Sequence, residues 1–213
     1  ICNNCNSSPA IIENNIIVYK GCDQKTDFFD KQAVERLKQM YNGYTRNNFE
    51  EDLLKCDLNN MDLFNKKVGI TTKFWWEKYI GKMREKSVLE FGCGVNYFVP
   101  YWLLTNNNVV ALDLCKESVI LLKEIVQQLK ISDKNLQLCV GSTELINIDK
   151  KFDIININNV LHHVNDKKGT LLKLKKMLNK DGKIFIVEPN YYYPFRWIIQ
   201  TDIFGKLNFV KKY

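Results

Sequence analysis

Glu90, Gly92, Gly94 and Asp113 are the residues whose types and spacing could do chemistry in this chain. The first three lie in Val88-Leu89-Glu90-Phe91-Gly92-Cys93-Gly94. An apolar run that ends in an acid and then a Gly-x-Gly turn reads as a buried strand entering a tight loop. Backbone without side chains lets a ligand approach such a loop closely. Asp113 ends the next apolar run, Val109-Val110-Ala111-Leu112. A carboxylate there can accept bonds from the two hydroxyls of a ribose, or it can cap the helix that follows. Taken alone, the residue leaves both readings open. The set amounts to half of a nucleotide-binding site.

Two residues narrow the nucleotide. A dinucleotide fingerprint needs a third small residue where the helix packs on the strand, and that position is Tyr97. Glu90 would also place a carboxylate against a pyrophosphate, which is electrostatically wrong. A carboxylate there suits a cationic ligand carrying an ammonium and a sulfonium, which describes S-adenosylmethionine. A nicotinamide dehydrogenase is the rival that Glu90 and Tyr97 argue against.

The elements that must hold these residues follow from periodicity. Strands are expected at 87–91, 108–112, 136–140, 152–157 and 183–188, and helices at 95–104, 116–130 and 169–179. Leu121, Leu122, Ile125, Val126 and Leu129 give the second helix one apolar face. Pro100 predicts a kink or a short first turn in the first. Alternating strands and helices imply an α/β fold, a Rossmann-like doubly wound sheet that is mainly parallel. Too little chain follows Pro189 for two more strands, so the sheet is expected to lack the last two strands of the related fold. Three units are expected: a hairpin in 1–26, a helical lead-in over 27–85, and the nucleotide-binding domain over 86–213. The chain opens Ile1-Cys2 without an initiator Met, which reads as a fragment or a trimmed front.

Val88–Gly94 resembles motif I of the class I S-adenosylmethionine-dependent methyltransferases. Four further blocks resemble that family in order: Val109–Leu114; Val140-Gly141-Ser142-Thr143-Glu144-Leu145; Phe152–Ile155 through Val160-Leu161-His162-His163-Val164; and Leu174–Pro189. Together they cover residues 71–200. The resemblance implies that Glu90 lies near the methionine amino group through water, and that Phe91, Gly92, Cys93 and Gly94 line methionine and ribose. It implies Asp113 on the ribose hydroxyls, Leu114 on adenine, Ser142 and Thr143 at the adenine edge, and Asn158 near the methyl group. The family commonly has an acid at position 142; Ser142 accepts without charge assistance, so weaker cofactor binding is expected. Asn156, Asn158 and Asn159 also read as ordinary turn residues.

The implied activity is methyl transfer to oxygen, carbon or sulfur of a small-molecule or lipid-like acceptor. Asn158-Asn159-Val160-Leu161 is not the Asn/Asp-Pro-Pro-Tyr segment of amino-group methylases. The rival from another class is a methyltransferase-like binding module without turnover. His162 and His163 are the only histidines, and either could serve as a general base or simply pack at the sheet edge. No catalytic residue is assigned.

Bulk properties add limits. The chain has 213 residues, 46% of them hydrophobic, enough for a sizeable core. Its net charge of +7 comes from scattered lysines without interleaved aromatics, so no nucleic-acid partner is expected. No apolar run suits a transmembrane helix. Of the seven cysteines, Cys22, Cys56, Cys93, Cys115 and Cys139 are spread singly, which suggests reduced thiols and a cytoplasmic location. Cys2-x-x-Cys5 and Cys22 resemble a degraded zinc-ribbon leader. Its fourth ligand position is Lys25, and no metal is expected.

Overall fold

The computed structural model describes residues 10–19, 83–96, 98–142 and 148–188, with isolated positions between 35 and 47. Its strands are β1 (Ala10–Glu13), β2 (Ile16–Tyr19), β3 (Ser87–Phe91), β4 (Asn108–Asp113), β5 (Leu136–Val140), β6 (Phe152–Asn158) and β7 (Leu178–Val187). The α-helices whose bounds fall within the described residues are α1 (Phe98–Leu104), α2 (Lys116–Gln128) and α3 (Lys167–Lys176). The strands form one sheet in the order β1-β2-β5-β4-β3-β6-β7. All pairings are parallel except that of β1 with β2. The expected Rossmann-like, mainly parallel α/β fold is therefore present.

The central strands β3, β4 and β6 are buried on both faces because helices cover both. Val88, Val109, Ala111 and Ile154 join Trp102 of α1 and Val119, Leu122 and Val126 of α2 in one apolar cluster. Leu89, Phe91, Val110, Leu112, Ile155 and Ile157 join Leu174 of α3 in the other. Glu90 points to the α1 face, since alternate residues of a strand share a face.

The hairpin foreseen in the leader is present and belongs to the same sheet. Asn14 and Asn15 turn it with φ of 50° and 62°, the left-handed pair favoured in two-residue hairpins. β2 then lies parallel along β5, with Ile16 opposite Leu138 and Val18 opposite Val140. An ion pair between Glu13 and Lys116 ties the hairpin to α2. Cys2, Cys5, Cys22 and Cys56 lie outside the described residues. So do Tyr97, most of the helical lead-in, and the segment after Glu188 where any further strands would fall.

The element boundaries that differ most from expectation have local causes. α1 begins at Phe98, not at 95, because Asn96 Oδ1 accepts from the amides of Phe98 (2.9 Å) and Val99 (3.3 Å) and so fixes the start. Pro100 then falls in the first turn, where a missing N–H costs nothing. α3 ends at Lys176, and β7 starts at Leu178 rather than 183. β7 carries extra residues against β6, where Phe152 pairs with Leu178 and Ile154 with Lys183. Asn179 Nδ2 holds that bulge by donating to Asp153 Oδ1 at 2.7 Å. Among the described residues, no helix is long and apolar enough to cross a membrane.

Candidate functional site

The chain order reverses at β3: β4 and β5 lie on one side, β6 and β7 on the other. Ligands of open α/β sheets bind at such a switch point, beyond the carboxyl ends of the strands. The Gly92–Gly94 loop leaves β3 there. The amides of Gly92 and Cys93 both donate to Leu112 O at 2.8 Å, folding the loop against β4. Gly92 has φ of 72°, and a Cβ on it would come within 2.3 Å of Val160 Cγ2. Gly94 has φ of 46° and faces open space. One glycine is required by packing, and the other leaves the loop approachable.

Asp113 closes the loop. Its Oδ2 accepts from Gly94 N at 2.7 Å and its Oδ1 from Cys115 N at 2.8 Å. The N-cap of α2 is Cys115, without a side-chain capping bond. The Asp113 carboxylate thus bridges the glycine loop and the residue that starts α2. These contacts hold the carboxylate beside the loop, on the side of β3 toward β4.

Glu90 occupies the centre of the sheet and is 1% exposed. It pairs across β6 with Asn156, at the strand pair that forms the switch point. Asn156 Nδ2 donates to both carboxylate oxygens, at 2.9 and 3.1 Å. Trp102 Nε1 donates to Oε2 at 3.1 Å, and Asn96 Nδ2 to Oε1 at 3.2 Å. Burial raises the Glu90 pKa from the ordinary 4.5 to about 7, although the bonds from Trp102, Asn156 and Asn96 pull the other way. Asn96 also donates to Cys93 O at 2.6 Å. One amide therefore couples the loop, the start of α1 and the buried acid.

On the far flank of β3, the turn after β6 holds Asn158, Asn159 and the 3-10 turn Leu161–His163. Glu188, just past β7, receives the amides of Val160 (3.0 Å) and Leu161 (2.6 Å) on Oε1 and meets His162 Nδ1 at 2.6 Å with Oε2. Asn158 is half-buried at the end of β6, and its Oδ1 accepts from Asn159.

The other expected site residues divide. Leu114 and Ser142 are half-buried at the ends of β4 and β5, on the Asp113 side. Phe91 and Cys93 are buried in the core, so only their backbone can face a ligand. Burial pushes the Cys93 thiol well above its ordinary range, which suits packing rather than reactivity. Thr143 lies outside the described residues. Sequence reasoning missed Asn96, Trp102 and Glu188 as partners. Asn156 fell within the expected strand 152–157, with a turn residue as the alternative; the structure has it in the strand, where it is 2% exposed. Its signal was a polar residue inside the apolar run Ile154-Ile155-Asn156-Ile157. Among the described residues no cluster of three His, Cys, Asp or Glu could hold a metal ion.

A mainly parallel sheet with an acid-bearing glycine loop at its switch point defines the class I methyltransferase fold. The family model described as a methyltransferase domain matches residues 82–207, and the chain belongs to that family. A ubiquinone biosynthesis O-methyltransferase of Pelagibacter ubique is 27% identical over 108 residues, 51% of this chain and 44% of that protein. A tRNA U34 carboxymethyltransferase of Campylobacter fetus is 33% identical over 105 residues, 49% of this chain and 36% of that protein. The chain spans less than half the length of these curated relatives. A solved S-adenosylmethionine-dependent methyltransferase from Clostridium acetobutylicum superposes with a TM-score of 0.53 at 18% identity, covering 71% of this chain and 61% of the other. That likeness concerns the fold.

Proposed function

We propose that the chain binds S-adenosylmethionine at the Gly92–Gly94 loop and transfers its methyl group to a small-molecule acceptor. The observation that carries this reading is the Asp113 carboxylate held against Gly94 N at 2.7 Å. A hydroxyl-accepting group stands there beside a loop open to a ligand. The polar groups around the loop fit the donor. Two carboxylates suit a cation with a ribose, and would repel a pyrophosphate.

When bound, S-adenosylmethionine supplies a methyl group on a positively charged sulfur that departs as a neutral thioether. The protein's part is placement, the main requirement of an in-line displacement. Asp113 takes the ribose hydroxyls, with Leu114 and Ser142 along the adenine. Gly92 and Gly94 give backbone access, and Glu90 favours the ammonium through the loop. Asn158 stands at the methyl end. That the Pelagibacter relative is an O-methyltransferase supports an oxygen acceptor. No metal role is assigned to Cys2, Cys5 and Cys22. Cys93, Cys115 and Cys139 are free and buried, which supports a reducing, cytoplasmic setting.

A second reading is a cofactor-binding module without turnover, favoured by Ser142 where the family commonly has an acid. Calorimetry with S-adenosylhomocysteine tests binding. Methyl-donor consumption with a catechol as acceptor then separates the two: binding without consumption supports the module, and no binding removes both.

A further inference from the structure

Glu188 does more than end a strand. Its Oε1 takes two backbone amides of the turn after β6, and its Oε2 takes His162 Nδ1. The same turn is seated on the glycine loop, because Val160 fills the space that a Cβ on Gly92 would need. The ribose-accepting Asp113 ends β4, on one flank of β3, whereas this turn follows β6 on the other. With the nucleoside held toward β4, the reacting end of the donor faces the β6 flank. His162 therefore stands on the acceptor side. Its side chain is 28% exposed, so the ring is neither sealed in the core nor free in solvent. His163 lies against it, ring centroids 3.9 Å apart.

We propose that Glu188 is a positioning residue that fixes the Nδ1–H tautomer of His162, leaving Nε2 as the base for an acceptor whose nucleophile is a hydroxyl. This rests on the methyl-transfer reading above. A carboxylate only accepts, so Nδ1 must donate to it, and the lone pair of the neutral ring is then on Nε2. In the reaction the hydroxyl proton passes to Nε2, and its oxygen keeps the electron pair that attacks the methyl carbon. The imidazolium so formed is stabilised by Glu188 across the 2.6 Å contact. It loses its extra proton to solvent when the site resets. An acceptor already ionised, such as a thiolate, would not need the pair.

The test is 15N NMR of the histidine rings in the full chain, above the ordinary imidazole range, at about pH 8. The chain has 2 histidines, so His163→Asn assigns the signals. In the ligand-free protein we expect His162 with a protonated Nδ1 and a bare Nε2. In Glu188→Gln the amide oxygen still accepts from Val160 and Leu161, but its NH2 donates to Nδ1, so the ring proton moves to Nε2. A merely structural Glu188 would leave the tautomer unmoved. An Nε2–H tautomer in the wild type overturns the proposal, as does the same tautomer in both proteins; the wild-type measurement decides even if Glu188→Gln does not fold. With S-adenosylhomocysteine saturating, catechol should shift the His162 Nε2 signal, and no shift overturns the acceptor-side assignment. Failure of S-adenosylhomocysteine to bind refutes the methyl-transfer reading instead, a result distinguishable from the ligand-free tautomer.

Discussion

The indole Nε1 of Trp102 donates to Glu90 Oε2 at 3.1 Å, between two side chains that are 0% and 1% exposed. A tryptophan of α1 thereby supplies one of the N–H groups that make a buried carboxylate tolerable in the middle of β3. Trp102→Phe keeps most of the apolar volume and deletes the donor. Loss of a hydrogen bond to a buried charged group costs about 1.5–3 kcal/mol. We expect that loss of stability in urea unfolding at neutral pH. An unchanged midpoint would mean that Glu90 is neutral there and does not draw on the indole.

Glu90 also sets a pH dependence. Its pKa is about 7 in the folded chain against the ordinary 4.5, so between these values the folded state holds a proton that the unfolded state has lost. Stability on this account is fully present below about pH 4.5, falls as pH rises through about 7, and is flat above. The size is on the order of 3 kcal/mol. Glu90→Gln cannot titrate, so its stability relative to wild type should rise between about pH 5 and pH 8. Urea midpoints at the two pH values check this; a constant difference would show that Glu90 does not titrate in that window. The ammonium of a bound ligand favours the ionised form, so affinity for S-adenosylhomocysteine, which keeps that ammonium, should rise with pH through about 7 in wild type and not in Glu90→Gln.

The glycine loop was legible because its signal is local: positive φ and close approach demand glycine at positions 92 and 94. The parallel sheet was legible from buried apolar runs at regular intervals. Asp113 was legible as an acid after the second run, but its contact with Gly94 was not, since that depends on how β4 and the loop meet. The partners of Glu90 were the least legible. Trp102, Asn156 and Asn96 come from a helix, a strand and a loop, and only the folded sheet brings them to one carboxylate. Asn96 did carry a cue, an Asn just before the helix, yet the helix was expected to start at 95. The bulge in β7 hid the true start of that strand, because Asp181-Gly182 reads as a helix stop. The β2–β5 pairing is a contact distant in sequence, with no motif to announce it.

The two glycines should respond differently to alanine. At Gly92 the new methyl would meet Val160 at 2.3 Å and φ is 72°, so both clash and backbone strain oppose it. We expect Gly92→Ala to lose more than about 2 kcal/mol in thermal or urea unfolding. At Gly94 the Cβ meets nothing within 4 Å. Only the backbone term of roughly 1–2 kcal/mol applies, while the methyl occupies the space where a ligand would approach. Gly94→Ala should therefore lose ligand affinity out of proportion to its stability. Equal effects on both quantities at both positions would contradict this division.

The leader hairpin is expected to stabilise the sheet. Ile16 is 3% exposed and lies opposite Leu138 of β5. Ile16→Ala should cost about 2–5 kcal/mol, whereas Ile12→Ala, at 75% exposure, should cost little. Matched urea unfolding curves of the two variants would show that β2 is not docked on β5.

The loop between Glu90 and Asp113 is the proposed seat of S-adenosylmethionine. Calorimetric titration of wild type and Asp113→Ala with S-adenosylhomocysteine, and of wild type with NADH, tests it most directly. We expect saturable one-site binding in wild type, weakened about 100-fold in Asp113→Ala through two lost charge-assisted bonds, and no NADH binding. Unchanged affinity in Asp113→Ala, or tight NADH binding without S-adenosylhomocysteine binding, would contradict it.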